Sequence, residues 1–184
     1  MKLTPQTYLV ADTHFCHDAI MHLGHRPEDF NKRIVKNWNS VVGSKTDVLH
    51  LGDLVLANKE KAMGICGLLR GEKYLIRGNH DEAGEQWFKD CGFTTIEPIY
   101  KKFKDKYENK IHVLFTHEPV VDLPKGNWFN IHGHLHSATP QGDLNNHRHF
   151  NVTSHHYDVG VDANNFELVP LYRVLSLFFT LCEK

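Results

Sequence analysis

Residues Gly52–Glu82 read GDLVLANKEKAMGICGLLRGEKYLIRGNHDE. The stretch opens on Gly-Asp and closes on Gly-Asn-His-Asp, and each polar cluster follows a short apolar run, VLHL before Gly52 and YLI before Arg77. Between them Asn58 stands where a helix N-cap would, Glu60 and Lys61 fall in the first turn, and Gly71 lies just past a helix ending at Leu69. Strand, helix and strand in so short a span predict parallel neighbours joined by a crossover. Polar residues directly behind such strands sit where open α/β sheets bind ligands, beyond the carboxyl ends.

The same grammar extends in both directions. Thr7–Ala11 is a strand running into Asp12-Thr13-His14, and Arg26–Val42 carries Phe30, Ile34, Trp38 and Val41 on one helical stripe. Asp47–Leu51 and Lys73–Arg77 are the next strands, and a helix opens at Asp81 or Glu82 and stops near Cys91, before Gly92. The second half reads as strands: Thr94–Lys104 and Lys110–Thr116 as a hairpin, then Asn130–His132, His149–Thr153 and Tyr157–Val161. VLFTHEP and FNIHGHLH again end apolar runs on polar clusters, so five strand ends aim at one point. The expectation is a single domain over residues 1–184, with two packed sheets and helices outside them.

A chain of 184 residues buries roughly 70% of its unfolded surface. Its net charge of −1 creates no overall field for duplex nucleic acid or an acidic membrane. Four scattered cysteines, without C-x-x-C spacing, predict reduced thiols and a cytoplasmic location. The apolar C-terminal LYRVLSLFFTLCEK is interrupted by Arg173 and falls short of the ~20 residues of a membrane span. It reads as a buried terminal element, with an oligomer contact as the alternative.

Fifteen histidines are the unusual feature, since imidazole is the commonest metal ligand. Asp12 and His14 are spaced i, i+2, as are His134 and His136, so in extended chain each pair points to one side. Gly52 lets the backbone pass close to whatever Asp53 holds. Asn79 adds an amide oxygen and His117 another imidazole. Two carboxylates, one amide and four imidazoles form the mixed donor set of Mn, Fe or Zn rather than Ca. Two divalent ions against Asp12 and Asp53 leave positive charge even with a bridging hydroxide, which suits a phosphate ester attacked by that hydroxide.

In order, DTH, GD, GNHD, THEP and GHLH resemble the calcineurin-like metallophosphoesterase family, from Asp12 to His136, and DTHF and VGVD resemble its small single-domain bacterial and phage members. The resemblance implies an α/β fold, a four-layer αββα sandwich of two mixed sheets flanked by helices, with the metal site at the carboxyl ends of strands. It implies one metal held by Asp12, His14, Asp53 and His136, and a second held by Asp53, Asn79, His117 and His134. It also implies His80 as proton donor or charge stabiliser, oriented by Asp81. Cys16 departs from the Gly common in small relatives.

The expected cofactors are two divalent transition-metal ions, Mn²⁺ first, with Fe, Zn or Ni as alternatives. The expected partner is a small phosphate ester or nucleotide, with no duplex nucleic acid and no membrane. His17 and Arg26 are candidate substrate-phosphate contacts, each with a bland alternative as a loop residue; Asp81 is also a candidate helix cap. His50 and His132 read as core or supporting residues, and Lys101–Lys110 as a charged hairpin. One or two of His147, His149, His155 and His156 line the substrate mouth. The rival to hydrolysis is a metal-binding scaffold without catalysis, but all seven ligand positions and His80 carry competent residues.

Overall fold

The computed structural model describes residues 1–23, 26–136 and 152–182. His147, His149 and most of the strand expected over His149–Thr153 lie outside the described residues. The elements are β1 (Tyr8–Val10), α1 (Asp18–Leu23), α2 (Phe30–Val41), β2 (Asp47–His50), α3 (Lys59–Cys66), β3 (Glu72–Ile76), α4 (Glu85–Asp90), β4 (Phe93–Ile96), β5 (Ile99–Lys104), β6 (Lys110–Phe115), β7 (Trp128–His132), β8 (His156–Asp158), β9 (Val169–Pro170) and α5 (Leu171–Cys182).

They form two mixed sheets. The first has the order β4-β3-β2-β1-β9, parallel except for β9, and the second β5-β6-β7-β8, parallel except for β5. Alternation along the strands divides the core in two. Leu9, Leu49, Leu51 and Ile76 of the first sheet meet Ile111, Val113, Phe115, Phe129 and Ile131 of the second. On the opposite face Val10, Val48 and Leu75 pack with Phe30, Ile34, Trp38, Ala62, Cys66 and Phe88 from α2, α3 and α4. Helix α5 is the buried terminal element expected, burying Leu171, Val174, Leu175 and Phe178 in the inter-sheet core, with Phe178 stacked on Phe129 at 4.3 Å. The α/β sandwich of two mixed sheets with flanking helices is therefore present.

Several boundaries differ from expectation for identifiable reasons. Helix α2 starts at Phe30, not Arg26, because a residue before Pro27 is biased away from helical backbone. Its buried stripe runs Phe30, Ile34, Trp38 and Val42, while Val41 is 44% exposed. Asn58 does cap α3, accepting from the Lys61 N–H at 3.0 Å. Asp81 does not cap α4, whose N-cap is Gly84. The strand expected over Thr94–Lys104 is two strands in different sheets, β4 beside β3 and β5 beside β6. Pro98 lies at the break, where a residue without an N–H ends a ladder and the chain crosses between sheets. The expected Tyr157–Val161 strand also divides. After β8 the chain crosses to the first sheet, where Ala11 N–H donates to Val159 O and Val161 N–H to Ala11 O, each at 3.1 Å.

Candidate metal centre

Every expected ligand lies at or just beyond the carboxyl end of a strand: Asp12 and His14 after β1, Asp53 after β2, Asn79 after β3, His117 after β6, and His134 and His136 after β7. The backbone there is not extended. Asp12, His14, Asp53, His134 and His136 all have positive φ, from 44° to 71°. The i, i+2 pairs thus converge by left-handed turns rather than by strand alternation, a correction to the sequence reading. Left-handed conformations at non-glycine residues persist only where surroundings enforce them. Here the loops are tied together: Asp12 N–H donates to Gly52 O at 2.9 Å, His14 N–H to Asp53 O at 3.0 Å, and Gly133 N–H to His117 O at 2.9 Å. His134 N–H donates to the Asp12 carboxylate at 2.9 and 3.0 Å. A Cβ on Gly52 would strike His117 Nδ1 and stand 2.7 Å from the Gly78 Cα, so only glycine permits this approach.

Ligating atoms of Asp12, His14 and His136 lie within 4.8 Å of one another, as do those of Asp12, Asp53 and His117, and all five residues are buried. His117 Nε2 is 2.9 Å from Asn79 Oδ1 and 3.2 Å from His134 Nδ1, and His134 Nδ1 is 3.0 Å from Asn79 Oδ1. Asp53 Oδ2 stands between the groups, 3.4 Å from His14 Nε2 and 3.5 Å from His117 Nε2.

Whether a cation fits can be read from the lone pairs. His117 Nδ1 lies 2.7 Å from Leu51 O, so Nδ1 carries the proton and Nε2 presents a lone pair. That lone pair faces the Asn79 carbonyl oxygen and the Asp53 carboxylate, acceptors turned on one another. His136 Nδ1 donates to Asp162 Oδ2 at 2.7 Å, which leaves its Nε2 free to ligate in the manner of a carboxylate–histidine–metal triad. His14 is 2% exposed, and neither ring nitrogen has a hydrogen-bond partner among the described residues. An unsatisfied buried polar atom costs about 1–3 kcal/mol. Donors ~2.1 Å from one ion are separated by ~3.0–3.5 Å, the spacing seen here. The residues fit divalent metal.

Electrostatics agree. Burial, then the nearby Asp158 and Asp53, push the Asp12 carboxyl well above its ordinary range. Burial, then His136 and Arg26, hold the His14 imidazole well below its usual value, so it stays neutral with one ring nitrogen's lone pair available.

The remaining candidates divide. The rings of His17 and His80 flank that of His14, with centroids 5.5 and 5.4 Å away, and His17 Nδ1 is buried without a partner among the described residues. His80 N–H donates to Asp53 Oδ1 at 2.9 Å. The Asp81 carboxylate accepts from the N–H groups of Asp53, Gly78 and Leu54 at 2.7, 2.8 and 3.1 Å, locking the two ligand loops together. Arg26 is not a phosphate contact. It is 4% exposed, and four of its five N–H bonds go to Asp162 and to the carbonyls of Asp12 and Thr13. His50 is a supporting residue: its Nε2 meets Thr13 Oγ1 at 2.9 Å, and that hydroxyl donates to Leu54 O at 2.7 Å. His132 is 1% exposed, and its Nδ1 donates to Gly133 O at 2.8 Å. His155 and His156 bond backbone oxygens of Trp128 and Val120 at 2.8 and 2.9 Å. Asp162 was missed by sequence reasoning; the VGVD tetrapeptide was its only trace.

Comparison with known proteins agrees with this geometry. The calcineurin-like phosphoesterase family matches residues 6–170. The chain is 35% identical to the uncharacterized protein MJ1445 of Methanocaldococcus jannaschii, over 92% of this chain and 89% of that protein. It is 26% identical to the gene 66 protein of Mycobacterium phage L5, over 85% and 86% of the two chains. The crystal structure of AQ665 from Aquifex aeolicus, a protein of unknown function, superposes with a TM-score of 0.68 at 23% identity, over 93% of this chain and 98% of that one. The chain belongs to the calcineurin-like phosphoesterase family, and is a phosphoester hydrolase with a site for divalent metal. No described helix is long and apolar enough to cross a membrane.

Proposed function

We propose that the protein hydrolyses small, nucleotide-type phosphate esters at a dinuclear centre, one ion held by Asp12, His14, Asp53 and His136 and the other by Asp53, Asn79, His117 and His134. The observation that carries this reading is the convergence of His117 Nε2, Asn79 Oδ1 and Asp53 Oδ2 as lone pairs facing one another, with Asp53 shared toward His14. Mn²⁺ is the first choice for such an N/O set. When bound, the ions would polarise the phosphoryl oxygens and supply hydroxide near neutral pH.

The chain's own residues do the rest. His80 lies exposed at the rim, next to His14, where it donates a proton to the departing alkoxide or stabilises its charge. His17 presents an imidazole on the same rim to a phosphoryl oxygen. Asp81 acts as a positioning residue: by tying Gly78 to Asp53 and Leu54 it sets where the His80 backbone stands. A cavity of about 790 Å³ beside Asn79 supports room for a nucleoside-sized leaving group. Among the described residues its lining carries Glu82, Glu85 and Glu97 against the single cation Arg77, a net acidic wall that disfavours a second phosphate there and favours mononucleotide or cyclic esters.

The test is hydrolysis of bis-p-nitrophenyl phosphate beside p-nitrophenyl phosphate by metal-stripped protein resupplied with Mn²⁺, with His80→Ala as control. Metal-dependent turnover lost in His80→Ala is the expected result, and preference for the diester directs the search to cyclic nucleotides. Silence on both esters with Mn²⁺, Ni²⁺, Fe²⁺ and Zn²⁺ would overturn it in favour of a metal-binding scaffold.

A further inference from the structure

The second sheet's outer face carries a feature that the metal centre does not use. Tyr100, His112 and Trp128, from β5, β6 and β7, have ring centroids 4.6, 5.4 and 5.8 Å apart and planes within 22° of parallel. In a linear pile the outer pair would be separated by the sum of the two inner spacings. The near-equal spacings instead describe a tiled cluster, exposed at Tyr100 and half-buried at His112 and Trp128. Tyr100 is 50% exposed, and its hydroxyl is fixed to His112 Nδ1 at 2.7 Å. Helix α5 closes the inter-sheet core on Phe129. On the outer face Thr116 and Val120 bond to Asn130 and cover the carboxyl end of β7. The exposed part of this face is therefore the end carrying Tyr100, Lys102 and Lys110, with His112 and Trp128 half-buried.

Lysines edge the platform. Lys102 is in register with His112, which is in register with Trp128, so cation and two rings form one row across three strands. Lys104 lies opposite Lys110, a like-charge pair that disfavours a bare sheet. Glu108 pairs with Lys104 at 2.5 Å, while Lys102 and Lys110 make no ion pair among the described residues. Lysine is depleted at the cores of protein interfaces. Aromatic rings interleaved with lysines are instead what unpaired bases and their phosphates require.

We propose that this face, centred on Tyr100, His112 and Trp128 and edged by Lys102 and Lys110, docks single-stranded nucleic acid. Duplex does not fit the same surface, because its base faces are already stacked on one another. Two of the platform's three strands, β6 and β7, end at the candidate metal centre. His117 lies five positions after His112 along β6 and its exit, about 17 Å of extended chain. The inference does not depend on the catalytic reading, and its test involves no hydrolysis.

Fluorescence anisotropy of a fluorescein-labelled oligothymidylate, titrated with metal-stripped full-length protein in chelator, measures docking directly. The expected result is binding that weakens with salt, a weaker signal with duplex, and a Tyr100→Ala variant binding about 5- to 100-fold less tightly. Tyr100→Phe keeps the ring and should keep the affinity, which separates stacking from folding. Lys102→Ala should lower the salt slope by about one. No binding by the parent, equal affinity for duplex, or equal affinity of Tyr100→Ala would overturn the proposal. So would self-association through this face that excludes the oligonucleotide.

Discussion

Asp162 Oδ2 accepts hydrogen bonds from both His136 Nδ1 and Arg26 Nη2, each at 2.7 Å, although Asp162 and His136 are 26 residues apart. Arg26 adds a second bond from Nε to Oδ1 at 2.9 Å. Burial works against the Asp162 charge, but the bonds from His136 and Arg26 prevail and hold its carboxyl below the usual range. One carboxylate thus fixes the tautomer of a proposed ligand, His136, and neutralises a buried guanidinium.

Asp162→Asn should therefore weaken divalent-metal binding about 10- to 100-fold. It should also cost about 3 kcal/mol of stability, because Arg26 would remain buried without its counter-charge. Calorimetric Mn²⁺ titration and urea unfolding measure the two effects separately. Unchanged metal affinity would show that His136 does not ligate through the nitrogen this bond sets free.

Asp53→Ala removes the oxygen standing 3.4 Å from His14 Nε2 and 3.5 Å from His117 Nε2. Turnover should fall at least about a hundredfold, and bound metal should fall for both sites together. Elemental analysis beside the p-nitrophenyl assay reads both. A variant that kept two metals and full activity would refute the shared role of Asp53.

His50 is fully buried, and burial followed by the nearby His117 lowers its pKa to about 3. The unfolded chain takes up this proton near pH ~6.5, the folded chain only near ~3. Stability is thus fully present above ~6.5 and is lost as pH falls toward ~3. His50→Gln keeps a donor for Thr13 and removes the titration. Between about pH 7.5 and about pH 5 it should lose less stability than the parent, by at most about 2 kcal/mol. Urea unfolding at both pH values decides, and equal losses would place the acid sensitivity elsewhere.

Cys16 has φ 62°, a left-handed backbone in which glycine is relaxed. Cys16→Gly should leave stability unchanged or higher, whereas β-branched Cys16→Val should cost about 2 kcal/mol. Metal content should be unaltered in the Gly variant. If Gly and Val destabilise equally in denaturant titrations, the thiol's packing matters and the backbone does not.

Much of this protein was legible in the chain itself. Apolar runs ending on Asp12, Asp53, Asn79, His117 and His134 predicted strands that deliver ligands to one edge, because strand periodicity and strand-end polarity are local properties. Asn58 announced its cap for the same reason. Local pattern also misled where long-range packing intervened. Thr94–Lys104 reads as one strand, yet Ile96 pairs in one sheet and Ile99 in the other.

The sequence by itself determined the donor set, the order of the strands that carry it, and the glycines that let those strands' loops approach. The tertiary structure alone decided the rest. It turned Arg26 from a phosphate contact into a buried brace, made Asp162 the partner of His136, and set Asp81 between two loops. It also assembled Tyr100, His112 and Trp128 on one face. Each of these joins residues distant in sequence through a hydrogen bond, an ion pair or a strand register, and such contacts exist only once sheets have paired and water has left the space between them.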